Sequence, residues 1–138
     1  MATLNNFNLK KGDIIFLFGN WNGNEKETVD FYIQQYTVHS IGKKRCYLLY
    51  NNDINSRKEY SCNRDINAAL TLEEAIEKCK VYQVEYTEEE LKNYKQKITN
   101  YSGEKKYVEN IKKASDNLMY AKQRILVNPY STDKPITL

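Results

Sequence analysis

The sequence predicts an α+β fold, a small antiparallel β-meander forming an SH3-like or curled sheet, followed by a C-terminal antiparallel helical hairpin. Three observations carry that expectation. From Ile14 to Cys62 the chain reads with the two-residue alternation of strands, punctuated by turn formers. Thr71 with Glu74 and Thr87 with Glu90 have the Thr-x-x-Glu spacing of helix capping boxes. Tyr107, Ile111, Ala114, Leu118, Ala121 and Ile125 recur at alternating steps of four and three, which keeps one apolar stripe on one side of a helix.

The elements follow in order. Leu9-Lys-Lys-Gly-Asp13 is a turn into Ile14–Phe18, an apolar run of buried-strand type. Gly19–Glu27, with the only Trp at position 21, is rich in turn formers and reads as an exposed loop. Val29, Phe31 and Ile33 alternate with Asp30, Tyr32 and Gln34 in a strand reaching Ile41, and Gly42-Lys43 turns the chain into Arg45–Tyr50. Asn51–Ser56 turns it again into Arg57–Cys62. A short helix from Thr71 points Leu72, Ala75, Ile76 and Cys79 inward, and Val81–Tyr86 alternates as a further strand. A helix of about three turns then carries Leu91, Tyr94, Ile98 and Tyr101, and ends at Asn100–Gly103. Ser102 caps a second helix of about six turns, stopped near Val127 by Asn128-Pro129.

This organisation is a single domain over 1–128, mainly β with one short helix over 9–86, hairpin over 87–127, and a mobile tail over 129–138. A three-turn helix cannot cover a six-turn one. The remaining stripe, Tyr107 to Ile125, therefore predicts a homo-oligomer.

Composition bounds the function. With 138 residues, 41% hydrophobic and 28% charged, the chain is long and apolar enough to bury a core. No apolar run approaches membrane-spanning length and the N-terminus lacks the pattern of a signal peptide, so the expected location is the cytoplasm. Three scattered cysteines, Cys46, Cys62 and Cys79, read as reduced thiols rather than a disulfide or metal set. A net charge of +3 is too mild for a general nucleic-acid coat. Abundant Asn, Lys, Ile and Tyr with scarce Pro and Gly match AT-rich codons, as in an AT-rich bacterium or its phage.

Enzymatic equipment is sparse. His39 is the only histidine, and Ser40 beside it on a strand faces the other way, so a base–nucleophile relay is not set up. Phosphate-loop patterns are absent and no cofactor or metal is expected. Glu73, Glu74 and Glu88–Glu90 read as solvated helix starts, and Lys112, Lys113, Lys122 and Arg124 as a solvated helix face. Binding groups are better represented. Arg45, Arg57 and Arg64 lie on neighbouring segments of the meander, where a guanidinium fork grips phosphate. Tyr47, Tyr82 and Trp21 offer faces on which a base stacks.

A small sheet followed by a helical hairpin suited to dimerisation, with Arg57 among aromatics, resembles the phage Thoeris anti-defence proteins. These are sponges that sequester cyclic ADP-ribose signals without cleaving them, and the likeness is one of architecture over most of the chain. It implies non-catalytic capture of an anionic cyclic nucleotide gripped by Arg57 and neighbouring aromatics. The grouping of arginines and aromatics along the chain extends the expected contacts to Arg45 and Arg64 for phosphate and to Tyr47, Tyr82 or Trp21 for the base. Small anti-CRISPR proteins are similar in size and composition, and Leu9–Asp13 resembles the opening of SH3-like barrels. The alternative they imply is an interaction or inhibitor protein, docking a protein or nucleoprotein through the Trp21 loop and the sheet edge.

Overall fold

The computed structural model describes residues 2–21, 28–50, 53–100, 103, 105–120, 122–127 and 136–137. Its centre is the expected meander: β2 (Ile14–Trp21), β3 (Thr28–Ile41), β4 (Arg45–Tyr50) and β5 (Lys58–Ser61), each antiparallel to the next. The short β7 (Ala68–Ala69) pairs with the outer edge of β2. Near it, β1 (Ala2–Thr3) and β6 (Asp65–Ile66) make a separate two-stranded sheet. Gly12 has φ of +91°, a backbone conformation that L side chains rarely adopt, and it turns the chain into β2.

Alternation along β2 explains why Ile14–Phe18 is continuously apolar. Ile15 and Leu17 face one core with Leu4, Leu9, Val38 and Leu48. Phe16 and Phe18 face another with Phe31, Ile33, Ala75 and Cys79. Both faces of β2 are covered over this stretch, so it carries no polar face there. The strand also outruns the expected run, because Gly19, Asn20 and Trp21 belong to it rather than to a loop. Asn22–Glu27, the rest of that predicted loop, and Asn51 and Asn52 lie outside the described residues.

The α+β class holds, with two helices after the meander, but their proportions are reversed. A single helix, α1 (Leu72–Asn100), runs for 29 residues, about 43 Å. Thr71 caps its start, accepting from the Glu74 amide at 3.2 Å. The strand expected at Val81–Tyr86 and the second cap at Thr87 are both helix interior. Val-Tyr-Gln-Val-Glu-Tyr alternates, but Ala75, Cys79 and Gln83 form the buried stripe at steps of four. No Gly or Pro interrupts the chain from Thr71 to Asn100, so nothing ends the helix.

The second helix, α2 (Lys105–Tyr120), has 16 residues and lies against α1. It does not reach Val127. Residues Lys122–Val127 form β8, a strand parallel to the first half of β3. Backbone pairing supplies the reason. On that edge of β3, β4 pairs only with Tyr36–Ile41, which leaves the edge of Thr28–Ile33 to be satisfied by β8.

The expected stripe is thus divided between two elements. Ile111 is buried, Ala114 and Leu118 half-buried and Tyr107 exposed on α2, whereas Ile125 is buried in the sheet beside Phe31. Ala121 and the predicted stops at Tyr101, Ser102 and Asn128-Pro129 lie outside the described residues. The length mismatch that predicted assembly also runs the other way, since α1 is the longer helix. Within the expected mobile tail, Ile136–Thr137 form β9, antiparallel to β8. Among the described residues no helix is long and apolar enough to cross a membrane.

Candidate binding site

The six sequence-predicted contact residues fall in two places. At the β4–β5 edge the Arg57 guanidinium lies over the Tyr47 ring, 5.2 Å from its centroid. Beside it, Arg45 Nη1 meets Glu59 Oε1 at 2.8 Å, both side chains being substantially exposed. Arg64 is exposed in the turn after β5, its amide donating to the Ser61 carbonyl at 3.4 Å. Arg57 and Tyr47 are therefore brought together, while one arginine is already ion-paired.

Tyr82 is elsewhere. It sits half-buried on α1, edge-on to Phe18 at 6.1 Å and to Phe31 at 5.9 Å. Tyr47 pairs with Ser40, nine residues along β3 from Phe31, and nine strand residues span about 30 Å. Tyr47 and Tyr82 cannot sandwich one base. Trp21 pairs in register with Asp30, at the Phe31 end of the strand; its side chain is outside the described residues.

Concave surface lies along two flanks of α1. An open groove of about 610 Å³ lies between α1 and α2. Lys92 and Lys95 from one helix and Lys112 from the other surround it, with Leu91, Ile98 and Met119 supplying apolar wall. Thr99, Ser115 and Asp116 complete the lining. Its formal charge is +2, three lysines against one aspartate. Sequence reading assigned Lys112 to a solvated face and gave Lys92 and Lys95 no role. The signal was available only once α1 was known to continue past Tyr86, since an unbroken helix puts Lys92 and Lys95 on the flank that α2 meets. Arg124, assigned to the same solvated face, is instead a strand residue bound to Asp30.

A second groove, about 870 Å³, follows the other flank of α1, where Val81, Tyr82 and Tyr86 face Phe18, Ile66 and Ala68. Tyr86 accepts a hydrogen bond from Asn20 Nδ2 at 3.1 Å. Burial pushes the Tyr82 hydroxyl above the ordinary tyrosine range, and a hydrogen bond from the Asn20 backbone partly offsets it. The two tyrosines close off the end of β2.

Burial holds the cysteine thiols in the protonated form. Burial pushes the Cys79 thiol up to about 12, and burial with the neighbouring Cys62 pushes Cys46 up to about 11. A catalytic cysteine needs the thiolate, and these buried free thiols are protonated at neutral pH. His39 is half-buried and is the extra residue of a bulge, because Val38 pairs with Leu48 and Ser40 with Tyr47. Among the described residues no group of three or more His, Cys, Asp or Glu is placed to hold a metal ion. Comparison with family models, curated proteins and solved structures gives no match. The functional reading therefore rests on the chain's own residues.

Proposed function

We propose that this chain is a non-catalytic binding protein that sequesters an anionic small molecule, a cyclic nucleotide of the cyclic ADP-ribose type. In this reading the phosphates rest on Lys92, Lys95 and Lys112, not on the sheet-edge arginines. The observation that carries it is the presence of all three lysines in the lining of one groove of about 610 Å³. A site of that size takes a nucleotide-sized ligand. Lysine serves phosphate as a mobile point charge, and the Ser115 hydroxyl offers an additional hydrogen bond, whereas the Thr99 hydroxyl already donates to the Lys95 carbonyl at 2.9 Å. Leu91, Ile98 and Met119 would cover the less polar part of the ligand. Arg57 on Tyr47 lies outside this groove.

Equilibrium dialysis against cyclic ADP-ribose, cyclic di-AMP and ATP tests the proposal. One nucleotide should be retained and returned with unchanged mass after denaturation. Lys92→Glu with Lys95→Glu should weaken retention by about tenfold or more, and Arg57→Ala should leave it nearly unchanged. Retention of none, or recovery of a cleaved product, would contradict it.

A further inference from the structure

The groove on the sheet-facing flank of α1 has the opposite chemistry. Two adjacent ridges of the helix line it, Glu77–Val81–Glu85–Glu89 and Lys78–Tyr82–Tyr86–Glu90, each at steps of four. From Glu77 to Glu90 the wall extends about 20 Å. Its middle is apolar, with Val81 59% exposed above the Phe18, Tyr82 and Tyr86 rings. Four glutamates against one lysine give the wall a formal charge of −3, in a chain whose net charge is +3.

That negative charge is neutralised only in part, at the Glu77 end. Lys78 is engaged by Glu74 at 2.9 Å and by the Ala68 carbonyl at 3.4 Å. Glu77 has a loose contact with Lys80 at 3.7 Å. Glu85, Glu89 and Glu90 form no ion pair with another described residue. The helix dipole accounts for Glu73 and Glu74 in the first turn, but its influence fades within a turn and does not reach Glu85–Glu90.

We infer that this groove docks a basic amphipathic helix of a protein partner. Charge complementarity sets the sign, since a lysine- or arginine-bearing segment neutralises Glu85, Glu89 and Glu90. The apolar strip sets the pattern, because residues at i, i+4 and i+7 of such a helix would lie on Val81 and the tyrosine rings. An added β-strand does not fit. Asn20, at the end of the β2 edge, is already engaged by Tyr82 and Tyr86, so recognition must run through side chains. The inference uses residues separate from the lysine groove and stands or falls independently of the nucleotide.

Fluorescence anisotropy on the full chain tests it, with a labelled model helix of about 14 residues built from Leu and Lys in helical spacing. The same peptide with Glu in place of Lys is the control. The lysine peptide should bind, the glutamate peptide should not, and affinity should fall about tenfold between ~50 and ~500 mM NaCl. Glu85→Lys with Glu89→Lys, and separately Val81→Asp, should each weaken binding at least tenfold. Lys92→Glu with Lys95→Glu should leave binding intact. Circular dichroism verifies that each variant retains its helices. Equal binding of both peptides, or wild-type affinity in the Glu85→Lys/Glu89→Lys variant, overturns the inference. So does self-association in sedimentation that Val81→Asp abolishes, since that assigns the groove to a second copy of the chain.

Discussion

Arg124 grips Asp30 with two hydrogen bonds, Nε to Oδ1 at 2.8 Å and Nη2 to Oδ2 at 2.9 Å, joining residues 94 apart in sequence. The two stand in register on β8 and β3, so the pair fixes the parallel strand to the meander. A bidentate guanidinium–carboxylate contact is stronger and more directional than a single ion pair. Here it is partly shielded, the side chains being 27% and 11% exposed.

Removing one partner should therefore cost more than a surface ion pair and less than a fully buried one. Asp30→Ala or Arg124→Ala is expected to lower stability by about 1–3 kcal/mol. Urea unfolding of both single variants and the double variant forms the check. The double variant should lose less than the sum, and the amides of β8 should exchange faster in all three.

The buried thiols make stability fall at alkaline pH. Cys46 and Cys79 titrate near 11 and 12 when folded, against an ordinary 9.0. Above that ordinary value the unfolded chain releases protons that the native chain keeps, so unfolding is favoured as pH rises towards the folded values. Tyr60, Tyr82 and Tyr86, also raised by burial, act in the same direction at higher pH. Each thiol should cost up to about 2 kcal/mol between pH ~9 and ~10.5. Thermal midpoints across that range should decline, and less steeply for Cys79→Ala. Iodoacetamide at neutral pH should label these cysteines only after denaturant is added.

Tyr86 links helix to sheet through Asn20 and lies edge-on to Phe31 at 5.7 Å. Tyr86→Phe keeps the ring and loses the hydroxyl, an expected loss of about 1 kcal/mol. Tyr86→Ala also removes the half-buried ring and should cost more than Tyr86→Phe. Chemical denaturation of the two variants separates these contributions.

Gly19 lies beneath Tyr32. A Cβ there would sit 3.1 Å from the Tyr32 hydroxyl oxygen and 3.2 Å from its ring edge. Gly19→Ala should destabilise by about 1–2 kcal/mol through overpacking. Adding Tyr32→Ala to it should remove the clash and recover part of that loss relative to Tyr32→Ala alone.

The meander was legible because its strands alternate and its turns carry Gly, Asn and Asp, so local chemistry and tertiary demand agree. The error at Val81–Tyr86 arose where a short alternating run also fits a helical stripe. Ala75, Cys79 and Gln83, with no breaker following, were the discriminating signal. Lys122–Val127 was misread for a different reason. Its residues continue the helical spacing, and only the unmatched half of β3, 14 residues facing a 6-residue partner, calls for a strand there. For the site, Arg57 and Tyr47 were rightly grouped by the hairpin, whereas Tyr82 was displaced by the helix assignment. The lysine groove depended on how α2 lies against α1, which no local pattern encodes.

Thermal unfolding of the wild-type chain against a panel of linear and cyclic nucleotides, repeated with Lys92→Glu/Lys95→Glu, shows whether the lysine groove captures a nucleotide. At about 100 times its dissociation constant a ligand adds about 2.7 kcal/mol, enough to raise the midpoint by several degrees. Such a shift is expected for one cyclic nucleotide in the wild type and none in the lysine variant. A flat panel, or an equal shift in both proteins, would contradict it.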